Sequence, residues 1–135
     1  MDESLLAAFR ATHYLVCLDV VEWADIRIDQ PLPAALRVLV GAQAWGFITA
    51  WNPRAEPRDP AGNLAAQRQL LAALREWPGA AIRPGIGIGT DGWHEPSLFV
   101  VGPDTPMLDT LASRHEQVAY IHGRADGMAH LRVVE

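Results

Sequence analysis

The sequence predicts an α+β fold: one compact domain over residues 1–135, with a mixed or mostly antiparallel sheet and helices packed chiefly on one face. Three observations predict it. The elements read in the order helix, two strands, helix, strand, helix, two strands, helix, two strands, which lacks the regular alternation of a doubly wound parallel sheet. Half of the residues are hydrophobic and a fifth are charged, as in an ordinary globule. No repeat, low-complexity tract or long linker divides the chain, and its length suits one domain with a core.

Each element has a local reason. In ESLLAAFRAT, Leu5, Leu6 and Phe9 fall at helical spacing. HYLVCLDV is β-rich, and WADIRID alternates, with Ala24, Ile26 and Ile28 on one face and Asp25, Arg27 and Asp29 on the other, a half-exposed strand hairpinned to its predecessor. Pro31 and Pro33 open a short helix containing Leu36, Leu39 and Val40. A strand follows from Trp45 to Trp51, with Trp45, Phe47, Thr49 and Trp51 on one face and Gly46, Ile48 and Ala50 on the other, where a helix can pack closely. Pro53 should stop its pairing and hold Asn52 extended. Asp59 and Pro60 start a helix that runs to about Trp77 and stops at Pro78-Gly79. AIRPGIGIG and PSLFVVG read as strands, and Thr105-Pro106 starts the last helix. QVAYIH and MAHLRVV close the chain as strands about an Asp126-Gly127 turn.

Charge excludes some functions. The formal net charge is −5, and all eleven basic residues are arginine. Residues 1–30 carry −4, residues 31–90 carry +3 and residues 91–135 carry −4, so a non-specific nucleic-acid binder is disfavoured while the middle permits a small anionic ligand. A single-strand reader that stacks bases on Trp51 and Trp93 is the remaining nucleic-acid option. The single cysteine, Cys17, cannot form an internal disulfide, and no apolar run has the length of a membrane span or the form of a signal peptide, so a cytoplasmic protein is expected. The histidines do not stand at metal-ligand spacings, so neither metal nor cofactor is expected.

Two groups of polar residues carry candidate chemistry. On the helix after Pro60, Leu64, Leu70, Leu71, Leu74 and Trp77 form a stripe, and Asn63 and Gln67 fall inside it. Amides on a core-facing side need partners, because a buried unpaired amide costs about 1–3 kcal/mol. Asn52 ends the preceding strand at the same edge, beside the helix N-terminus, Arg54 and Arg58. The cluster either brackets the loop backbone or binds an anion or a carbonyl. The second group is GWHEPS. Glu95 and Ser97 share a strand face beside Trp93, where burial would raise a carboxyl pKa toward the range a general acid or base needs. Gln117, at the start of a strand, is a connector or a fourth polar group. PGIGIG has no helix behind it, so a crowded glycine strand is expected there, not a phosphate loop.

FITAWNP (Phe47–Pro53), Asn63, the run Trp93–Ser97 and Gln117–Ala119 together resemble the bacterial DUF3293 family, a domain of unknown function, over nearly the whole chain. The resemblance implies recurring polar positions at Thr49, Asn52, Asn63, Glu95, Ser97 and Gln117. It departs before the glutamine, where this chain has RHEQ. Two functions remain open. One is a small-molecule pocket formed by Thr49, Asn52, Asn63, Gln67, Ser97 and Gln117, walled by Trp51 and Trp93, with Glu95 for proton transfer and an anionic or carbonyl-bearing ligand. The other is a protein-interaction module in which the same polar residues brace the fold.

Overall fold

The computed structural model describes residues 1–134. Helix α1 (Glu3–Ala11) leads into the hairpin β1 (His13–Cys17) and β2 (Trp23–Ile26). Helix α2 (Ala34–Val40), strand β3 (Ala44–Ile48) and helix α3 (Pro60–Arg75) follow. Strands β4 (Ala81–Ile88) and β5 (His94–Val101), helix α4 (Thr105–Arg114), and strands β6 (Ala119–Arg124) and β7 (His130–Val133) complete the chain. The observed order is the expected one. The helix punctuation also holds: Asp59 caps α3 by accepting from the Gly62 N–H at 2.8 Å, with Pro60 at the first position.

The seven strands form one sheet in the order β2-β1-β4-β5-β3-β6-β7, every neighbouring pair antiparallel. The chain leaving β2 meets the lead-in to β7. Asp29 N–H donates to Ala129 O at 2.8 Å, Ala129 N–H donates to Gln30 O at 2.9 Å, and Pro31 bridges Met128. The sheet is therefore curled until its two edge strands are linked, which leaves fewer free edge groups for pairing with another chain.

Curling divides the apolar residues into two cores. Inside lie Tyr14, Val16, Ile26, Trp45, Phe47 and Phe99, closed by Leu36 and Val40 of α2. Outside, Ile48, Val100 and Tyr120 pack under Leu70 and Leu74 of α3 and Leu108 and Leu111 of α4. The small face of β3 is used as its spacing suggested, but by α4: a Cβ on Gly46 would stand 2.6 Å from a Leu108 methyl. One residue of the expected α3 stripe departs from it. Leu64 is 45 % exposed, while its neighbour Asn63 takes the buried side of the first turn.

Candidate functional site

The polar cluster begins where β3 stops. The sequence suggested a strand to Trp51 halted by Pro53, but pairing ends at Ile48, and the cause is Pro96 on the neighbouring strand. Continuing the Ile48–Leu98 register would set Ala50 opposite Pro96, which has no N–H to give Ala50 O. Side chains take over the ladder's partners. Gln67 of α3 accepts from Ala50 N–H at 2.8 Å and donates to Pro96 O at 3.3 Å. The Thr49 hydroxyl also donates to Pro96 O, at 2.7 Å, and accepts from Trp51 N–H at 3.0 Å. Arg58 supplies the missing donor to Ala50 O at 3.2 Å.

Asn52 is left-handed, with φ 49°, where extended backbone was expected. The residue before a proline is kept out of the right-handed helical region, and asparagine is among the side chains that tolerate the left-handed one. It turns the chain toward α3, as the polar helix start suggested. Asn52 N–H donates to Asn63 Oδ1 and Asn63 Nδ2 donates to Asn52 Oδ1, both at 2.8 Å. Asn63 is 1 % exposed and also bonds Arg58 through both its oxygen and its nitrogen. The two arginines that suggested an anion site are occupied within the fold. Arg58 holds Asn63 and Ala50, and Arg54 pairs with Glu116. Glu116 belongs to the unusual RHEQ run. It takes φ 53°, and its carbonyl accepts from Arg54 N–H at 2.8 Å, which fastens the turn after α4 to the loop after β3.

On the inner face the same end of the sheet opens into a cleft of about 610 Å³. Its floor follows from register. Tyr14, Gly87 and Glu95 are direct partners across β1, β4 and β5, so an absent side chain separates the tyrosine from the glutamate. One row further, Gly85 pairs with Ser97. The two glycines differ: a Cβ on Gly85 would meet the Phe47 ring at 2.7 Å, whereas one on Gly87 would meet nothing nearer than 3.6 Å. Gly85 is therefore the crowded strand glycine expected, while Gly87 has room for a Cβ at ordinary van der Waals contact. Helix α1 forms one wall through Phe9 and its C-cap residue Thr12, and Trp93, behind the 3-10 turn Thr90–Gly92, forms another.

The cleft gathers Thr49, Asn52, Trp93, Glu95, Ser97 and Gln117. Asn63, Gln67 and Trp51 are not on its lining; the first two hold main chain and each other's neighbours, and Trp51 O accepts from Gln117. Ser97 donates to Glu95 O at 3.0 Å. Hydrogen bonding fixes which amide atoms remain available. Asn52 Oδ1 accepts from Arg58 N–H at 3.1 Å, so its Nδ2 is the end left without a partner among the described residues. Gln117 Nε2 donates to Trp51 O and His115 O at 3.1 and 3.3 Å, which leaves its Oε1 over.

Glu95 is the sharpest feature. Its carboxyl is half-buried, has no hydrogen-bond or ion-pair partner among the described residues, and is pushed up to about 7 by loss of hydration. The Tyr14 hydroxyl, which donates to Phe9 O at 2.7 Å, is also raised by burial, with Glu95 adding to the effect. Sequence reasoning missed the contribution of α1 and β1, Phe9, Thr12 and Tyr14. The available signal was Gly87 in PGIGIG, read as strand crowding and not as space.

These features define a class: a small α+β protein with a strongly curled antiparallel sheet and an inner cleft at one end, built around a desolvated carboxyl. The family model described as protein of unknown function (DUF3293) matches residues 48–120, and the chain belongs to that family. The match runs from the end of β3 to the start of β6 and includes every site residue expected from the sequence. No curated protein and no solved structure matches the chain.

Proposed function

We propose that the inner cleft binds a small organic ligand and that Glu95 exchanges a proton with it. One observation carries the proposal: Glu95 stands desolvated and unpartnered in a cavity large enough for a metabolite. Near neutral pH such a carboxyl both gives and takes a proton, the condition for general acid or base work. Asn52 Nδ2 supports the reading as a donor for a ligand carbonyl, and Gln117 Oε1 as an acceptor. Of the two ligand classes suggested by the sequence, the carbonyl-bearing one fits better, because the lining holds no arginine, lysine or histidine to meet an anion.

A protein-interaction module is favoured by one observation. At the β1–β2 hairpin tip Val20 is 99 % exposed and Val21 84 %, with Trp23 beside them. That reading gives no reason for leaving Glu95 unpaired, so the cleft leads. The test is a thermal-shift screen of a metabolite library against wild type and Gly87→Val, whose side chain enters the cleft from its floor. Compounds that stabilise wild type and not the variant support the proposal. A screen in which every stabilising compound acts equally on both proteins refutes it.

A further inference from the structure

The cleft has a charge imbalance that its own lining does not correct. Among the described residues its lining carries two acids, Glu95 of β5 and Asp91 of the Thr90–Gly92 turn. The other titratable group is Tyr14 of β1, whose pKa burial raises; Tyr120 of β6 borders the cleft but turns its hydroxyl to Asp109 on the outer face. Helix α1, strands β3 and β4 and the loop after β3 bring no ionisable side chain to it. Elsewhere the molecule pairs a half-buried acid: on the outer face Asp109 receives Arg132 through two bonds of 2.7 Å. The walls meanwhile present aromatic rings, Phe9, Tyr14, Phe47 and Trp93.

We infer that the ligand of this cleft carries an organic cation, a protonated amine on a partly apolar body, seated against Glu95 among these rings. The inference rests on the ligand-cleft reading and names the ligand's charge. Two physical effects act together. A desolvated carboxylate gains most from a counter-charge, because both lie in the same low-dielectric space. An ammonium over the face of a tryptophan, tyrosine or phenylalanine is also attracted by the ring quadrupole. A carbonyl elsewhere on the same ligand still finds Asn52 Nδ2. The cation requires the ionised form of Glu95, so binding drives off the proton that burial holds there.

That requirement gives the test its sign. With Glu95 half-protonated near pH 7, its ionised fraction rises about 30-fold between about pH 5.5 and about pH 8.5, and the apparent affinity of a cation follows that fraction. A neutral carbonyl compound held by the protonated acid shows the opposite slope. The probes are phenethylammonium, phenethyl alcohol and phenylacetate, one body with three charges, titrated while the amide signal of Gly87 and the indole signal of Trp93 are followed by NMR. An alkylammonium keeps its charge across this range.

The expected result is that phenethylammonium binds at least about tenfold more tightly than either analogue at the upper pH, tightens as pH rises, and loses that pH dependence in Glu95→Gln. Equal or stronger binding of the alcohol or the acid, or affinity that falls with pH, overturns the cation while leaving the cleft reading in place. If none of the three probes shifts the cleft signals at about 10 mM, a concentration that detects even millimolar affinity, the cleft reading falls and the inference with it.

Discussion

Replacing Glu95 by glutamine should stabilise the protein, and by an amount that depends on pH. The folded carboxyl is raised from an ordinary value of 4.5 to about 7 by desolvation. Below the unfolded value both states hold the proton, and the acid costs nothing. As pH rises past 4.5 the unfolded chain ionises while the folded one does not, so stability falls until the folded group also ionises near pH 7. A shift of this size corresponds to about 3 kcal/mol at most, at 1.36 kcal/mol per pH unit. Glutamine keeps the shape and has no charge to desolvate. Urea unfolding of wild type and Glu95→Gln should therefore give similar stability near pH 4.5 and diverge to about 2–3 kcal/mol in favour of the variant by about pH 8, on the order of 10 °C in Tm. Parallel pH profiles, or a variant less stable than wild type at the upper pH, would refute the reasoning: Glu95 would then have a partner in solution and the cleft would lose its distinguishing group.

Three further outcomes follow from the site. Asn63→Ala removes the acceptor of Asn52 N–H and the donor to Asn52 Oδ1 in a buried place, and should cost about 2–4 kcal/mol in chemical denaturation. Gln67→Leu should cost about 1–3 kcal/mol by orphaning Ala50 N–H, with faster amide exchange at Ala50 and Trp51 as the local signature. Gly85→Ala should destabilise by about 1–3 kcal/mol because its methyl enters the Phe47 ring, whereas Gly87→Ala, two residues on, should be neutral within about 0.5 kcal/mol or mildly stabilising; equal losses in Tm at the two positions would remove the claim that Gly87 has room for a side chain.

Much of the fold was legible because its signals are local. Asp59-Pro60, Pro78-Gly79 and Thr105-Pro106 act on their own backbone, and the alternation of Ala24, Ile26 and Ile28 records burial directly. The end of β3 was misplaced because its cause is not local. Pro53 is two residues beyond the expected strand end and visible in the local sequence; Pro96 lies opposite in register and is visible only once β3 is known to pair with β5. The same limit explains Gly87, whose meaning depends on having Tyr14 on one side and Glu95 on the other. Glu95 itself was legible, since Trp93, Glu95 and Ser97 alternate on one short run. Asn63 and Gln67 were legible as amides in need of partners, but whether those partners were backbone or ligand depended on what Pro96 left unpaired.

The molecule contains its own control for the reading of Glu95. Asp109 also lies against a tyrosine, accepting from Tyr120 at 2.8 Å, and it too is partly withdrawn from water. There the fold supplies Arg132, whose paired bonds hold the Asp109 carboxyl below its ordinary 3.8. A depressed carboxyl contributes stability above its unfolded value and loses it as pH falls through the folded one, so Asp109 acts on the acid limb, below about pH 4. Glu95 acts between 4.5 and about 7, with the opposite sign. Asp109→Asn should accordingly lower stability at neutral pH and flatten the acid limb, while leaving the slope that Glu95 produces unchanged. If Asp109→Asn alters the slope between 4.5 and 7, the two carboxyls are coupled and the separation of structural and functional acids fails. If the windows stay apart, one protein holds two half-buried acids of opposite purpose: one closed by an arginine from its own chain, the other left open to a cleft that no basic residue among the described ones enters.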